Sequence, residues 1–489
     1  MKVESPYQVV RERVALLIGA LLMSWPALYN GYPLLYPDSV TYLGDGSAVA
    51  QAIFLHRFSE YYGMRSFIYS LGILPWHWNI TPWPIVVLNT LLAAYVLLLV
   101  VRSVVPRRLI TDFVAIVLVL SVFTSLSWFA SLIMPDILGP ISYLGIYLLV
   151  FARAAISRRE HLIVGFITWW GISSHATHWM LAAGVCLFCV MFSVFGNQLG
   201  RGATRAVGEV AAIVLLAAGV QITLHTYLYG EPSLNGERPP FLMARVIADG
   251  PGRWYLETHC GESDLIICRY VHNLPTSLDE FLWKENGIWD GADDDIQRGL
   301  RAEELRFVIA TIRTYPRAQL SRSMANFGQQ LLSFGLWNIE DNAWMHKIIG
   351  DIFPEGRRIY EHSKQARNSL PLRLFTTLQK WALALSLVAV CARLLDMENK
   401  MSPQLVGLFV VIPLTITVNA LITGALSMVE DRFEARIIWL LPLLGGLCVL
   451  DMVNSGGNER CSGGWFDQMD HSGRLGDHRN ATLFRSVSP

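Results

Sequence analysis

Apolar runs of about 20 residues recur along this chain of 489 residues, and that repetition limits its fold more than any other feature. A helix of that length crosses roughly 30 Å of hydrocarbon. In lipid each backbone amide must bond within its own segment, which leaves helices as the natural solution. The runs fall near 14–35, 83–101, 110–130, 137–152, 162–174, 179–195, 206–228, 374–394, 404–426 and 436–453. The short 162–174 piece reads as a tilted or broken helix. The expected fold class is all-α, a polytopic transmembrane bundle of about ten spans. Composition agrees: 53% of residues are hydrophobic and 16% charged, against roughly 25% charged in soluble domains. The zero net charge argues against nucleic acid as a partner.

Loop charge sets the expected orientation, because Lys and Arg stay on the cytoplasmic side. Arg102, Arg107 and Arg108, then Arg153, Arg158 and Arg159, then Arg201 and Arg205 alternate with turns poor in basic residues. Lys2, Arg11 and Arg13 precede the first span, so the N-terminus is expected inside, with an uncleaved anchor rather than a signal peptide. Three parts follow. Residues 1–228 form an N-terminal membrane module whose first outer loop is 36–82; 229–370 form a mainly helical extracytoplasmic insertion; 371–453 add three more spans. The tail 454–489, rich in Gly, Ser, Asn and Arg, is expected to be a disordered cytoplasmic segment.

Two acidic residues stand out at the expected outer mouths of the spans. Asp38 lies in Tyr36-Pro37-Asp38-Ser39-Val40-Thr41-Tyr42, just past the first span, and Asp136 lies in Met134-Pro135-Asp136-Ile137 between the third and fourth. Carboxylates at membrane helices are costly without a task, which makes both functional candidates. The alternative for each is a helix-start residue, since Pro-Asp-Ser opens helices well. Ser173-Ser174-His175-Ala176-Thr177-His178 is another outer polar turn. His175 could line the same cavity or simply pack at the interface; with His178 it lacks the third ligand that catalytic zinc usually takes, so no metal site is expected. Late in the chain, Arg432 and Arg436 fall on the side poor in positive charge. A guanidinium there can grip phosphate oxygens bidentately, or snorkel to headgroups.

The first outer loop and the insertion carry further signals. Residues 47–62 read as an amphipathic helix in the interface, and Trp76, Trp78 and Trp83 read as a headgroup belt. In the insertion, Leu305, Val308, Ile309 and Ile312 mark a helical apolar stripe. Asp290–Asp295 lacks calcium-loop spacing and reads as a solvated loop. Cys260 and Cys268 share an oxidising outer setting and are expected to form a disulfide. Cys186 and Cys189 have CxxC spacing inside an apolar helix, where packing is the expected role.

A long first outer loop with an acidic residue just past span one, and a second at the next outer turn, resembles the C-type integral membrane glycosyltransferases. The segment Glu430-Asp431-Arg432-Phe433-Glu434-Ala435-Arg436 running into Trp439-Leu440-Leu441-Pro442-Leu443 is similar to the arginine–aromatic start of a late helix in that superfamily. The family often has an acidic pair where this chain has Asp38-Ser39. The resemblance implies a glycosyltransferase (hexosyl- or pentosyltransferase) using a polyprenyl-phosphate sugar, interfacial helices in the first loop, an outer soluble part, and inversion at the anomeric carbon. On that reading Asp38 is the general base, since an acceptor hydroxyl needs a positioned carboxylate. Asp136 is a second catalytic carboxylate, while His175, Arg432 and Arg436 bind substrate, the arginines facing the leaving phosphate. Partners would be the lipid-linked donor, a glycan, lipid or protein acceptor, and membrane lipids. The resemblance fixes no cofactor, and a divalent cation is left open. The compact loops fit a bacterial inner membrane, with the site on the periplasmic side.

Missing motifs narrow the field. Walker A, GxGxxG after a strand, HExxH and GxSxG patterns are all absent, which argues against a nucleotide-driven pump, a metalloprotease and an α/β-hydrolase. Two rivals stay open. A transporter or flippase of a lipid-linked saccharide would place charges near the midplane. An O-antigen ligase or polymerase-type enzyme would lean on outer-loop arginines and histidine.

Overall fold

The computed structural model describes residues 6–59, 65–195, 201–234, 236, 238–396 and 398–462. Among these the chain is all-helical, and the only extended pairing is a single parallel bridge between Leu34 and Leu132. Five helices are long and apolar enough to cross a membrane: Trp83–Val104, Arg205–Tyr229, Leu372–Leu395, Pro403–Leu426 and Asp431–Asn454. Two shorter apolar helices, Pro135–Val150 and Ala176–Phe188, accompany them. Exposed Leu215, Leu216, Trp381, Leu385 and Val388 present apolar surface outward, as lipid-facing positions would. The tail beyond 462 lies outside the described residues, as do residues 60–62 of the expected 47–62 helix.

Several expected spans are divided. The 14–35 run is a helix, Pro6–Met23, then a short helix, Trp25–Asn30, that ends at Gly31 with φ of 83°. Glycine tolerates that left-handed geometry, and Pro33 then holds the chain extended. The 110–130 run breaks between Leu109–Phe123 and Leu126–Ala130. At the break Thr124 donates its hydroxyl to the Leu120 carbonyl, and Ser125 donates to the Ala435 carbonyl 2.5 Å away. The expected interfacial helix begins earlier, as Pro37–Leu55, and folds back on Phe67–His77. Gly46 makes that crossing close: a Cβ there would sit 2.6 Å from the Ser70 carbonyl oxygen.

The insertion has its own core, and only part of it stands apart. Met243, Ile247, Phe281, Leu282, Leu300 and Phe307 bury together. Residues from Leu336 to Tyr360 join the main hydrophobic core instead, and the Pro316–Leu332 helix packs on Pro403–Leu426. The Asp294–Thr314 helix overturns the expected stripe. Leu305, Ile309 and Ile312 are exposed and only Val308 is buried, while Glu303 and Glu304 turn inward. Their carboxylates are satisfied by amides that lack helical partners and by the Arg238 guanidinium. Glu303 accepts from Ile266 and Ile267 at 2.7 and 2.8 Å, and Glu304 accepts from Leu242 at 2.8 Å and from Arg238 at 2.7 Å. Asp293, from the acidic run, caps the same helix through the Ile296 amide.

Cys260 and Cys268 are joined by a disulfide that closes a short loop across a sequence separation of 8. Replacing both by Ser is expected to lower the insertion's stability by about 2–3 kcal/mol through loop-closure entropy. Thermal unfolding with and without reductant reads this. An unchanged midpoint would show that neighbouring packing already fixes the loop.

Candidate functional site

The Leu34–Leu132 bridge builds the site. Leu34 donates its amide to the Ser131 carbonyl at 3.0 Å, and its carbonyl accepts the Ile133 amide at 2.9 Å. Leu34-Leu35-Tyr36-Pro37-Asp38 therefore runs beside Leu132-Ile133-Met134-Pro135-Asp136 in matched register. Each aspartate follows a proline that starts a helical turn, Pro37 in Pro37–Leu55 and Pro135 in Pro135–Ile137. The two carboxylates thus arrive side by side from positions far apart in sequence.

Arg432 lies between them. Its Nη1 is 3.7 Å from Asp38 Oδ2, and its Nε is 3.8 Å from Asp136 Oδ1. Arg436, one turn along the Asp431–Ile438 helix, approaches Asp136 Oδ1 to 3.3 Å. Arg65, just before the Phe67–His77 helix of the first loop, closes on Asp38 Oδ1 at 2.5 Å. Neither aspartate caps its own helix with its side chain; both turn to the arginines instead. Asp136 and Arg436 are fully buried, and Arg432 is 5% exposed. Burial of this kind is tolerated only with partners, since isolated charges lose their hydration. Three guanidiniums face two carboxylates in this ion-pair network.

Aromatic and amide groups fix the arginines. The Arg432 guanidinium lies 3.9 Å from the centroid of the Tyr36 ring, within cation–π range. Arg432 pulls the Tyr36 phenol down, yet burial and the carboxylates of Glu430, Asp38 and Asp136 outweigh it and hold the group above its ordinary value. Burial likewise pushes the Glu430 carboxyl up, against the pull of Arg432. Arg436 donates to Thr177 at 3.0 Å and to the Asn419 carbonyl at 3.3 Å. Asn419 donates in turn to buried Glu434 at 2.9 Å. Several polar atoms here are buried without a hydrogen-bond partner: Asp136 Oδ2, Arg432 Nε and Nη1, Arg436 Nε and Glu434 Oε1. Such groups are uncommon in a buried network.

His175 stands one bond behind this network. His175 Nδ1 accepts the Thr177 amide at 3.2 Å, so the Thr177 hydroxyl, which accepts from Arg436, donates to the same nitrogen 2.9 Å away. That assigns the remaining proton of a neutral His175 to Nε2. His178 points elsewhere, its Nδ1 donating to the Gly171 carbonyl at 2.9 Å. Among the described residues no group of three or more His, Cys, Asp or Glu side chains could hold a metal ion.

Asp38, Asp136, Arg432 and Arg436 therefore come together as direct neighbours, with His175 linked through Thr177. Sequence reasoning overlooked Arg65, Thr177 and Asn419. Arg65 carries one usable signal, a basic residue in a loop expected on the side poor in positive charge. The shared Leu-x-x-Pro-Asp spacing of the two aspartate segments was a second.

Fold and site define an all-helical chain with helices able to span a membrane and a buried aspartate–arginine network where several helix ends meet. No family model, curated protein or solved structure matches it.

Proposed function

We propose that the chain is a bacterial inner-membrane glycosyltransferase moving a sugar from a polyprenyl-phosphate donor to an acceptor at the periplasmic face. The observation that carries this reading is Arg432 set between Asp38 and Asp136, with Arg436 and Arg65 beside them. Attack by an acceptor hydroxyl needs a base, and departure of a lipid phosphate needs cations; the network supplies both within one buried cluster. Asp38 is the better base. It is the more accessible of the two aspartates, whereas Asp136 is sealed and holds both arginines through Oδ1. Arg432 and Arg436 meet the leaving phosphate, and His175 supports Arg436 through Thr177. The shorter helices complete about ten crossings, with the N-terminus cytoplasmic.

The test follows release of free polyprenyl phosphate from a panel of polyprenyl-phosphate sugars, using detergent-solubilised protein and a crude membrane acceptor. Wild type is expected to release it, and Asp38→Asn to slow release by about 10²–10⁴-fold, the usual worth of a positioned base. Arg65 is partly exposed, so the variant should fold. Full activity in Asp38→Asn would remove it as the base. Silence from every donor would discard the transferase and favour transport of a lipid-linked saccharide.

A further inference from the structure

A separate cleft opens beside this site. It has a volume of about 480 Å³ and is lined by Trp337, Glu340, Asp341, Gln365, Asn368 and Arg373, with Leu370–Leu372 at its apolar base. That volume falls in the range of about 300–1,000 Å³ for small-ligand sites. Its walls reach the aspartate–arginine network from two directions. Gln365 brackets Leu35, donating to its carbonyl at 2.7 Å and accepting its amide at 3.0 Å, three residues before Asp38. Asn338, next to Trp337, accepts the Arg432 amide at 3.1 Å and donates to Glu430 at 3.2 Å.

We propose that this cleft binds a neutral saccharide, as the acceptor side of the site. Trp337 is 39% exposed and offers a flat apolar face to the C–H side of a sugar ring. Glu340 and Arg373 are exposed, and their side chains have no hydrogen-bond or ion-pair partner among the described residues. Planar carboxylate, amide and guanidinium groups bond neighbouring hydroxyls in pairs. The other walls are rigid. Asp341 is held by His346 at 2.7 Å and by the Tyr360 hydroxyl at 2.6 Å, and Gln365 also takes the Asn30 side-chain oxygen through its backbone amide at 2.7 Å. Fixed polar walls around an open aromatic face suit recognition of a rigid polyol. Two carboxylates against one guanidinium disfavour an anionic ligand such as a phosphate headgroup.

The acceptor role rests on the transferase reading, whereas saccharide binding does not. The experiment titrates the full-length, detergent-solubilised protein with methyl glycosides of glucose, galactose, mannose and N-acetylglucosamine and with the matching disaccharides. Saturation-transfer NMR reads binding. At least one saccharide is expected to bind, with affinity lowered about tenfold by Trp337→Ala, as for loss of an aromatic anchor. Glu340→Gln, an exposed change that should not affect folding, is expected to weaken it as well, while Trp76→Ala leaves it unchanged. Trp337→Phe keeps a ring and should retain part of the affinity. Absence of binding from the whole panel would overturn the proposal. So would binding unaffected by both Trp337→Ala and Glu340→Gln, or Trp337-dependent binding of glycerophosphoethanolamine in place of sugars. Trp337-dependent sugar binding by a protein that releases no polyprenyl phosphate would keep the subsite and discard the transferase.

Discussion

Arg436→Met is expected to cost about 3–5 kcal/mol of folding stability, because it takes the nearer cation from a fully buried Asp136 carboxylate. Arg436 is the nearer of two cations to Asp136, at 3.3 Å against 3.8 Å for Arg432. It also bonds Thr177 and the Asn419 carbonyl, so its removal frees acceptors on two other helices. Adding Asp136→Asn should recover most of the loss, since no buried charge is then left bare. Thermal unfolding of the single and double variants in detergent measures the coupling. If Arg436→Met alone melts with wild type, the pair is not the structural clamp its burial implies.

Arg432→Lys is expected to lower kcat for polyprenyl phosphate release by about 10²–10³-fold, the usual effect of losing one preorganised donor to a developing anion. Charge is conserved in this change, so shape decides the outcome. A guanidinium can reach Asp38 and Asp136 through different nitrogens while sitting over the Tyr36 ring. An ammonium is a compact point charge on a flexible stem and cannot do all three. Stability should change much less than in Arg436→Met, because a cation still accompanies both carboxylates. Activity within threefold of wild type would show that only net charge matters at this position and would remove Arg432 from phosphate contact.

Both expectations rest on a juxtaposition that local sequence only half reveals. Apolar runs marked helices able to cross a membrane, because length and hydropathy are properties of a single segment. The same runs did not reveal the breaks at Ser24 and at Thr124–Ser125, where side-chain hydroxyls bond neighbouring carbonyls and leave the helix path. In the insertion, periodicity put Leu305, Ile309 and Ile312 inside, yet Glu303 and Glu304 went there. Amides from Ile266, Ile267, Leu242 and Met243 were waiting for acceptors, and satisfying them outweighed burying three apolar side chains.

From sequence alone came a helical, membrane-like chain and four charged candidates, Asp38, Asp136, Arg432 and Arg436, which lie side by side in the fold. Charge is so costly beside apolar helices that its mere presence is informative. Tertiary structure decided how they meet. One parallel bridge, Leu34 to Leu132, aligns two Pro-Asp segments, and the Asp431–Ile438 helix inserts its arginines between them. Arg65, Thr177 and Asn419 join only through that assembly. Pairing across such separations depends on which backbones touch, and hydropathy or spacing within one segment carries no record of that.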